Sequence, residues 1–343
     1  MGTIDYHGVV YRANRRLLPV LILCSTAAWP AAAQPKPGFD CAKAAGAVDR
    51  LICSDDGLAG QDRDLAGRYA ELGRTVSAQG LAILRTGQRR WLSSRTHCMS
   101  AEVDQDHRAT CMGGLYTERI GELNALYRAA DGLSIEDRET TRRLPRLRVE
   151  ESDSYPVLIG PSARVAAFNR YVAQRLNLAK GMFAASGIEL EPRPPGDTTF
   201  SRYYEIHRFD AALISIEVFR FHESYFGHGW REEFTINWDI RHDRPLHLAD
   251  IFSKEKDWQQ SIYDYAIKDI REAGDIQDPE RWFNSGEVDD DEAWLFNDDD
   301  AVLLFGHGER SMVGASAEVS IPYDALQPFL QPAAAIGLIG RPP

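Results

Sequence analysis

Residues 200–241, FSRYYEIHRFDAALISIEVFRFHESYFGHGWREEFTINWDIR, carry the pattern that decides the fold of the larger part of this chain. Three runs inside it, Phe200–His207, Ala211–His222 and Glu233–Arg241, are rich in aromatic and β-branched residues, which suit a pleated, half-buried surface. They are separated by Phe209-Asp210 and by Tyr225-Phe226-Gly227-His228-Gly229. Connections this short favour antiparallel hairpins. Upstream, Val165, Phe168, Val172, Leu176 and Phe183 fall on one side of a helix expected from Ala163 to about Ser186, before the proline-rich stretch Glu191–Gly196. Downstream, a second helix is expected over Lys256–Ala273, after which Ala301–Phe305 and Ala317–Ile321 are expected to close the sheet. Segregated helices and antiparallel strands predict an α+β domain over 155–343. Residues 131–154, rich in arginine and glutamate with little apolar periodicity, read as a linker.

The N-terminal part has a different texture. Leu58, Asp62, Leu65, Tyr69 and Leu72 recur at steps of three and four, as do Leu81, Leu84, Gln88, Trp91 and Arg95, and then Tyr116, Ile120, Leu123 and Tyr127. Three amphipathic helices follow from this spacing, giving a helical domain over 34–130. Cys41, Cys53, Cys98 and Cys111 surround them in two local pairs. Such a framework behind an export signal reads as disulfides. Four cysteines allow three connectivities; Cys41 with Cys53 and Cys98 with Cys111 is the expected one, because each then closes a short turn beside a helix end.

The export signal is read from Arg12, Arg15 and Arg16, the apolar run Leu17–Trp29 and the small residues Ala31-Ala32-Ala33, with cleavage expected after Ala33. Nothing later reaches the roughly eighteen apolar residues of a membrane span, so no stable membrane insertion is expected after cleavage, and the location is periplasmic or secreted. Charge is divided unevenly. Residues 34–130 carry 13 basic and 12 acidic groups, whereas 131–343 carry 23 and 38, a net −15. A field of that sign repels nucleic acid and attracts a basic partner.

The residues Phe39-Asp40-Cys41, Asp49-Arg50-Leu51-Ile52-Cys53, Leu58, Asp62, Leu65, Tyr69, Gln88-Arg89-Arg90-Trp91-Leu92, Arg95, Cys98, Cys111, Tyr116, Arg119-Ile120 and Leu123 resemble the LprI-type lysozyme-inhibitor domain over about 39–127. The resemblance implies an exported helical module associated in some members with inhibition of lysozyme. Within it, Asp62, Arg95 and Arg119 lie at helical spacing beside apolar stripes, the setting of a structural ion pair. A second set of residues resembles the RsiV-like extracellular domain, whose best-described member is an anti-sigma factor that binds lysozyme. It comprises Tyr155-Pro156-Val157-Leu158, Phe168-Asn169, Tyr225, Gly227, Asn237, Asp239, Pro245-Leu246, Leu248-Ala249-Asp250-Ile251-Phe252, Phe305, Gly314 and Val319-Ser320-Ile321-Pro322-Tyr323-Asp324-Ala325-Leu326. Where that family usually has a Gly-Gly-Ala-His turn, this chain reads Gly227-His228-Gly229-Trp230. The regulator's membrane span and cytoplasmic sigma-binding segment find no counterpart, so a regulator of that kind is not expected.

Two resemblances converge on one target, lysozyme or another basic muramidase. The expected function is a periplasmic lysozyme-binding protein that inhibits by occluding the substrate cleft through an acidic surface. Candidate contacts are Asp289-Asp290-Asp291-Glu292 and Asp298-Asp299-Asp300, with Trp294 and Phe296 between them as aromatic anchors, together with Tyr225, His228 and Trp230. The alternatives are an envelope hydrolase or accessory protein acting on peptidoglycan, and a scaffold with another partner. No catalytic residue is assigned and no cofactor is expected. His222, His228, His242 and His247 form no compact zinc signature, the acidic runs lack the spacing of a calcium loop, and neither Ser311 nor Ser316 sits in a nucleophile elbow.

Overall fold

Helix α1 (Ala47–Ser54) is followed by α2 (Asp56–Thr75), α3 (Ala78–Ser94) and α4 (Arg108–Leu126), the last three being the helices predicted from periodicity. This computed structural model describes residues 36–130, 132–160, 163–188, 196–223, 229–274, 276–307, 310–311 and 316–331. The expected export signal lies outside the described residues. Asp55 caps α2 through the amide of Leu58, and Ser77 caps α3 through the amide of Gly80, each satisfying an orphan donor of the first turn. The stripes Leu58, Leu65, Leu72, Leu84, Trp91, Tyr116 and Leu123 meet in one buried core. Disulfides Cys41–Cys53 and Cys98–Cys111 staple that core at its edges, with Cα separations of 5.8 and 5.7 Å. Each closes a short loop and contributes about 2–4 kcal/mol to a module with a modest core.

A large sheet follows. Strands β1 (Arg128–Ala130), β2 (Leu133–Leu144) and β3 (Val149–Ile159) lead through α5 (Ala163–Arg175) and α6 (Met182–Ser186) to β4 (Thr198–Phe209), β5 (Leu213–Glu223), β6 (Gly229–Asp239) and the short β7 (Arg244–Pro245). Beyond them stand α7 (Leu248–Ile251), α8 (Trp258–Ala273), β8 (Trp294–Phe296), β9 (Asp300–Phe305), β10 (Arg310–Ser311), β11 (Ala317–Pro322) and α9 (Tyr323–Leu326). The eight-stranded sheet runs β1-β2-β3-β4-β5-β6-β10, with β7 also paired to β6. All its pairings are antiparallel except β3 with β4. One face, carrying Tyr204, Ile206, Ile214, Ile216, Phe234 and Ile236, packs on Phe168 and Val172 of α5.

Three expectations change. Residues 131–154 are no linker: most of them form β2 and the first half of β3. Their apolar alternation is weak because charges pair across the strands. Arg143 lies opposite Glu150 and bonds it at 3.1 Å, and Arg202 of β4 grips Asp153 of β3 with contacts of 2.8 and 2.5 Å. The helix expected to run from 163 to 186 stops at Arg175. Asn177 takes φ 52° and Gly181 φ 83°, and a Cβ at Gly181 would lie 2.8 Å from both Arg142 and Glu151. Finally, β9 and β11 do not close the main sheet but form a separate three-stranded sheet, β11-β9-β8. Its core joins Trp258 and Ile262 of α8 to Trp294, Phe296, Leu303 and Val319.

The helical module is fastened to the large sheet by Glu136 of β2. Its carboxylate accepts from the amide and the hydroxyl of Ser77 at the start of α3, where the helix dipole favours an anion, and from Arg138 at 3.2 Å. Gly80 makes the approach possible, since a Cβ there would lie 2.3 Å from Glu136 Oε2.

Candidate functional site

The helical module gathers its motif residues around one pocket. Helix α2 presents Asp62, Leu65 and Ala66, helix α3 presents Gln88, Trp91 and Leu92, and Arg95 follows α3. With Phe39 and Asp49 they line a cavity of about 160 Å³. The sequence expectation of an ion pair is refined here. Tyr116 of α4 stands between Asp62 and Arg95, its hydroxyl donating to Asp62 Oδ1 at 2.6 Å and accepting from Arg95 Nη1 at 3.1 Å. Burial and then the Asp62 hydrogen bond push the Tyr116 hydroxyl well above the usual phenol range. The phenol therefore stays a donor throughout the physiological range. Trp91 meets Tyr116 edge to face at 5.0 Å, and the Arg95 guanidinium lies 4.9 Å from the indole centre. Arg119 is occupied elsewhere, with Glu122 at 2.6 Å and Gln88 at 3.3 Å. At the mouth, Leu92 is 42% exposed.

The acidic runs divide into carboxylates that brace loops and carboxylates that stay exposed. Asp290 caps the amide of Glu292 and receives His307 at 3.0 Å; Asp291 holds the amide of Leu248 and His247; Glu292 pairs with Arg175 at 2.5 Å. Asp300 accepts from Ser320 and from Asn297. These four brace the loops between β7 and β9, whereas Asp289, Asp298 and Asp299 are exposed. Trp294 and Phe296 are not anchors. They are 0% and 1% exposed, because they belong to β8, which is buried on both faces, and the Trp294 indole donates inward to Val288 O at 2.9 Å. Trp230 is half-buried on β6 beneath Arg220, whose guanidinium lies 5.2 Å from the indole. Tyr225 and His228 lie outside the described residues.

The remaining cluster was missed in the sequence. Glu205 and His207 sit two apart on β4, and Glu205 faces Glu217 of β5 directly in register. The pairing slips at His207, a bulge of the kind that re-aims a side chain. One ligand atom from each of the three residues lies within 4.8 Å of the others. Glu233 of β6 and Glu318 of β11 face the same group. Burial, and next Glu217, push Glu233 up to about 7, and burial followed by Glu233 raises Glu318. Burial depresses His207, but Glu217 and Asn297 outweigh it, so its net shift is upward. Beside the carboxylates, Tyr203, 40% exposed, stacks on Phe219 and Phe221 at 4.7 and 5.6 Å, with Arg231 over the two phenyl rings. Alternation along β4 put Glu205 and His207 on one face, but only strand register brings in Glu217.

Residues 41–123 match the family model for the lysozyme inhibitor LprI. The matched span covers about a quarter of the chain and contains both disulfides and every helix residue of the pocket. The family's description is that of a lysozyme inhibitor. Among solved structures, a member of the DUF3298 family from Bacteroides fragilis NCTC 9343 is similar over 62% of this chain and 97% of its own, at 12% identity and TM-score 0.41. A DUF3298 family protein from Pseudomonas aeruginosa PAO1 is similar over 62% and 99%, at 16% identity and TM-score 0.45. No curated protein matches the chain. The inhibitor match and the two disulfides point to an extracytoplasmic setting, and among the described residues no helix is long and apolar enough to cross a membrane.

Proposed function

We propose that this chain is an exported, periplasmic or secreted protein that binds a basic lysozyme and inhibits it by covering its substrate cleft. The LprI match over residues 41–123 carries this reading, supported by the disulfide frame around the same helices. In this reading the chain divides into the helical domain, 34–130, and an RsiV-like domain that takes in strands β2 and β3 of the large sheet and runs to 343. The two have different tasks. The helical module, with the pocket mouth at Leu92 and Arg95, supplies the contact characteristic of the inhibitor family. The net −15 of residues 131–343 speeds encounter with a cationic enzyme and gives the complex its salt sensitivity. Within the acidic runs the contact falls to Asp289, Asp298 and Asp299, which are exposed and brace no loop; Asp289 accepts only a long bond from Gln259 at 3.5 Å.

The test is lysozyme inhibition and pull-down with the full chain at low and moderate salt. Binding that weakens with salt, and weakens further in an Asp289→Ser, Asp298→Ser, Asp299→Ser triple variant, is the expected result. No binding and no inhibition at either salt concentration rejects the function. Unchanged salt dependence in the triple variant rejects only the assignment of those three carboxylates.

A further inference from the structure

We propose that Glu205, His207 and Glu217 form a binding site for a first-row divalent cation, with Glu233 beside it, on the face of the large sheet that carries Tyr203 and Phe219. The three ligand atoms already lie within 4.8 Å of one another, so a single ion could reach all of them without backbone movement. Glu217 supplies the second observation. It is 5% exposed, and its buried Oε1 has no hydrogen-bond donor among the described residues. A buried carboxylate oxygen that receives no hydrogen bond calls for a positive charge beside it.

The histidine is arranged as metal-bound histidines are. Asn297 donates its Nδ2 to Asp300 Oδ1 at 2.8 Å, which turns its Oδ1 toward His207 Nδ1 at 3.1 Å. Nδ1 therefore carries a proton, and Nε2 meets Glu217 Oε2 at 2.9 Å through a second proton that a bound ion would displace. An outer carboxylate–amide–imidazole relay of this form fixes the tautomer and presents the Nε2 lone pair to an ion. One imidazole and two carboxylates form a mixed nitrogen–oxygen set that suits zinc and its first-row neighbours better than magnesium or calcium. Glu205, exposed at the rim, leaves the ion open to solvent on one side. The aromatic stack of Tyr203 on Phe219 lies on the same face of the sheet.

The experiment titrates the tag-free, EDTA-stripped full chain with Zn²⁺ by calorimetry at neutral pH and in the absence of lysozyme, which separates it from the inhibitor reading. One saturable site per chain is expected. Glu205→Gln, an exposed change that leaves the fold intact, weakens it at least tenfold, and His207→Gln removes it. His242→Gln and His247→Gln, which alter surface histidine–aspartate pairs elsewhere, leave it unchanged. The absence of a saturable event overturns the proposal, as does an affinity unchanged by Glu205→Gln or lost in the two surface variants. Should His207→Gln fail to fold, the Glu205→Gln comparison decides by itself.

Discussion

Replacing Glu136 with alanine tests whether the helical module and the large sheet fold as one body. Glu136 is 0% exposed, and its carboxylate is shared among the amide and hydroxyl of Ser77 and the guanidinium of Arg138, itself 7% exposed. Truncation leaves Arg138 without its buried counter-ion, a change that costs about 3–5 kcal/mol. Part of this is recovered because Arg138 keeps the carbonyl of Asp137 at 2.9 Å. A net loss of about 3 kcal/mol corresponds to a midpoint lowered by about 1 M urea for a chain of this size. Urea unfolding followed by tryptophan fluorescence and far-ultraviolet circular dichroism reads both the midpoint and the number of transitions. The wild type should unfold in one transition, and Glu136→Ala should lower the midpoint and separate the two signals, since the fastening between α3 and β2 is what couples them. Gly80→Ala approaches the same joint from the helix side, forcing a Cβ to within 2.3 Å of the Glu136 oxygen, and should reproduce the effect. An unchanged midpoint and slope in both variants would refute the buried contact.

Two other expectations follow from buried polar groups. Burial pushes Asp137 up to about 7, against the hydrogen bond from Ser154. Its native form keeps a proton that the unfolded chain releases near pH 4, so its contribution falls as pH rises from about 4 to about 7 and is flat beyond, a loss of about 4 kcal/mol at most. Asp137→Asn should therefore raise the melting temperature at pH 8 and change it little at pH 4; a shift equal at both, or larger in acid, contradicts the assignment. Tyr116→Phe removes the hydroxyl between Asp62 and Arg95 while keeping the ring against Trp91. It should cost about 1.5–3 kcal/mol, the worth of a hydrogen bond to a charged group, by chemical denaturation. A loss well below 1 kcal/mol would mean that solvent already satisfies Asp62.

The sequence by itself determined the local features. Helices α2, α3 and α4 follow from side-chain spacing within one segment, strands β4, β5 and β6 from runs of aromatic and β-branched residues, and the disulfides from pairs of cysteines close enough to meet across a single turn. None of these needs knowledge of a distant partner. Tertiary structure decided the rest. The pairing of Arg143 with Glu150 and of Arg202 with Asp153 makes strands of a segment that reads as charged and solvated, because the neutralising charge lies on another strand. Trp294 looks like an exposed aromatic among aspartates until the fold packs it against Phe252, 5.4 Å between ring centres, in the core beside α8. Glu205, His207 and Glu217 become a cluster only when the register of β4 on β5 is known, since a slip of one residue would send Glu217 to the opposite face. A chain encodes period and propensity within a few residues, whereas burial and charge compensation belong to whichever segments the fold brings together.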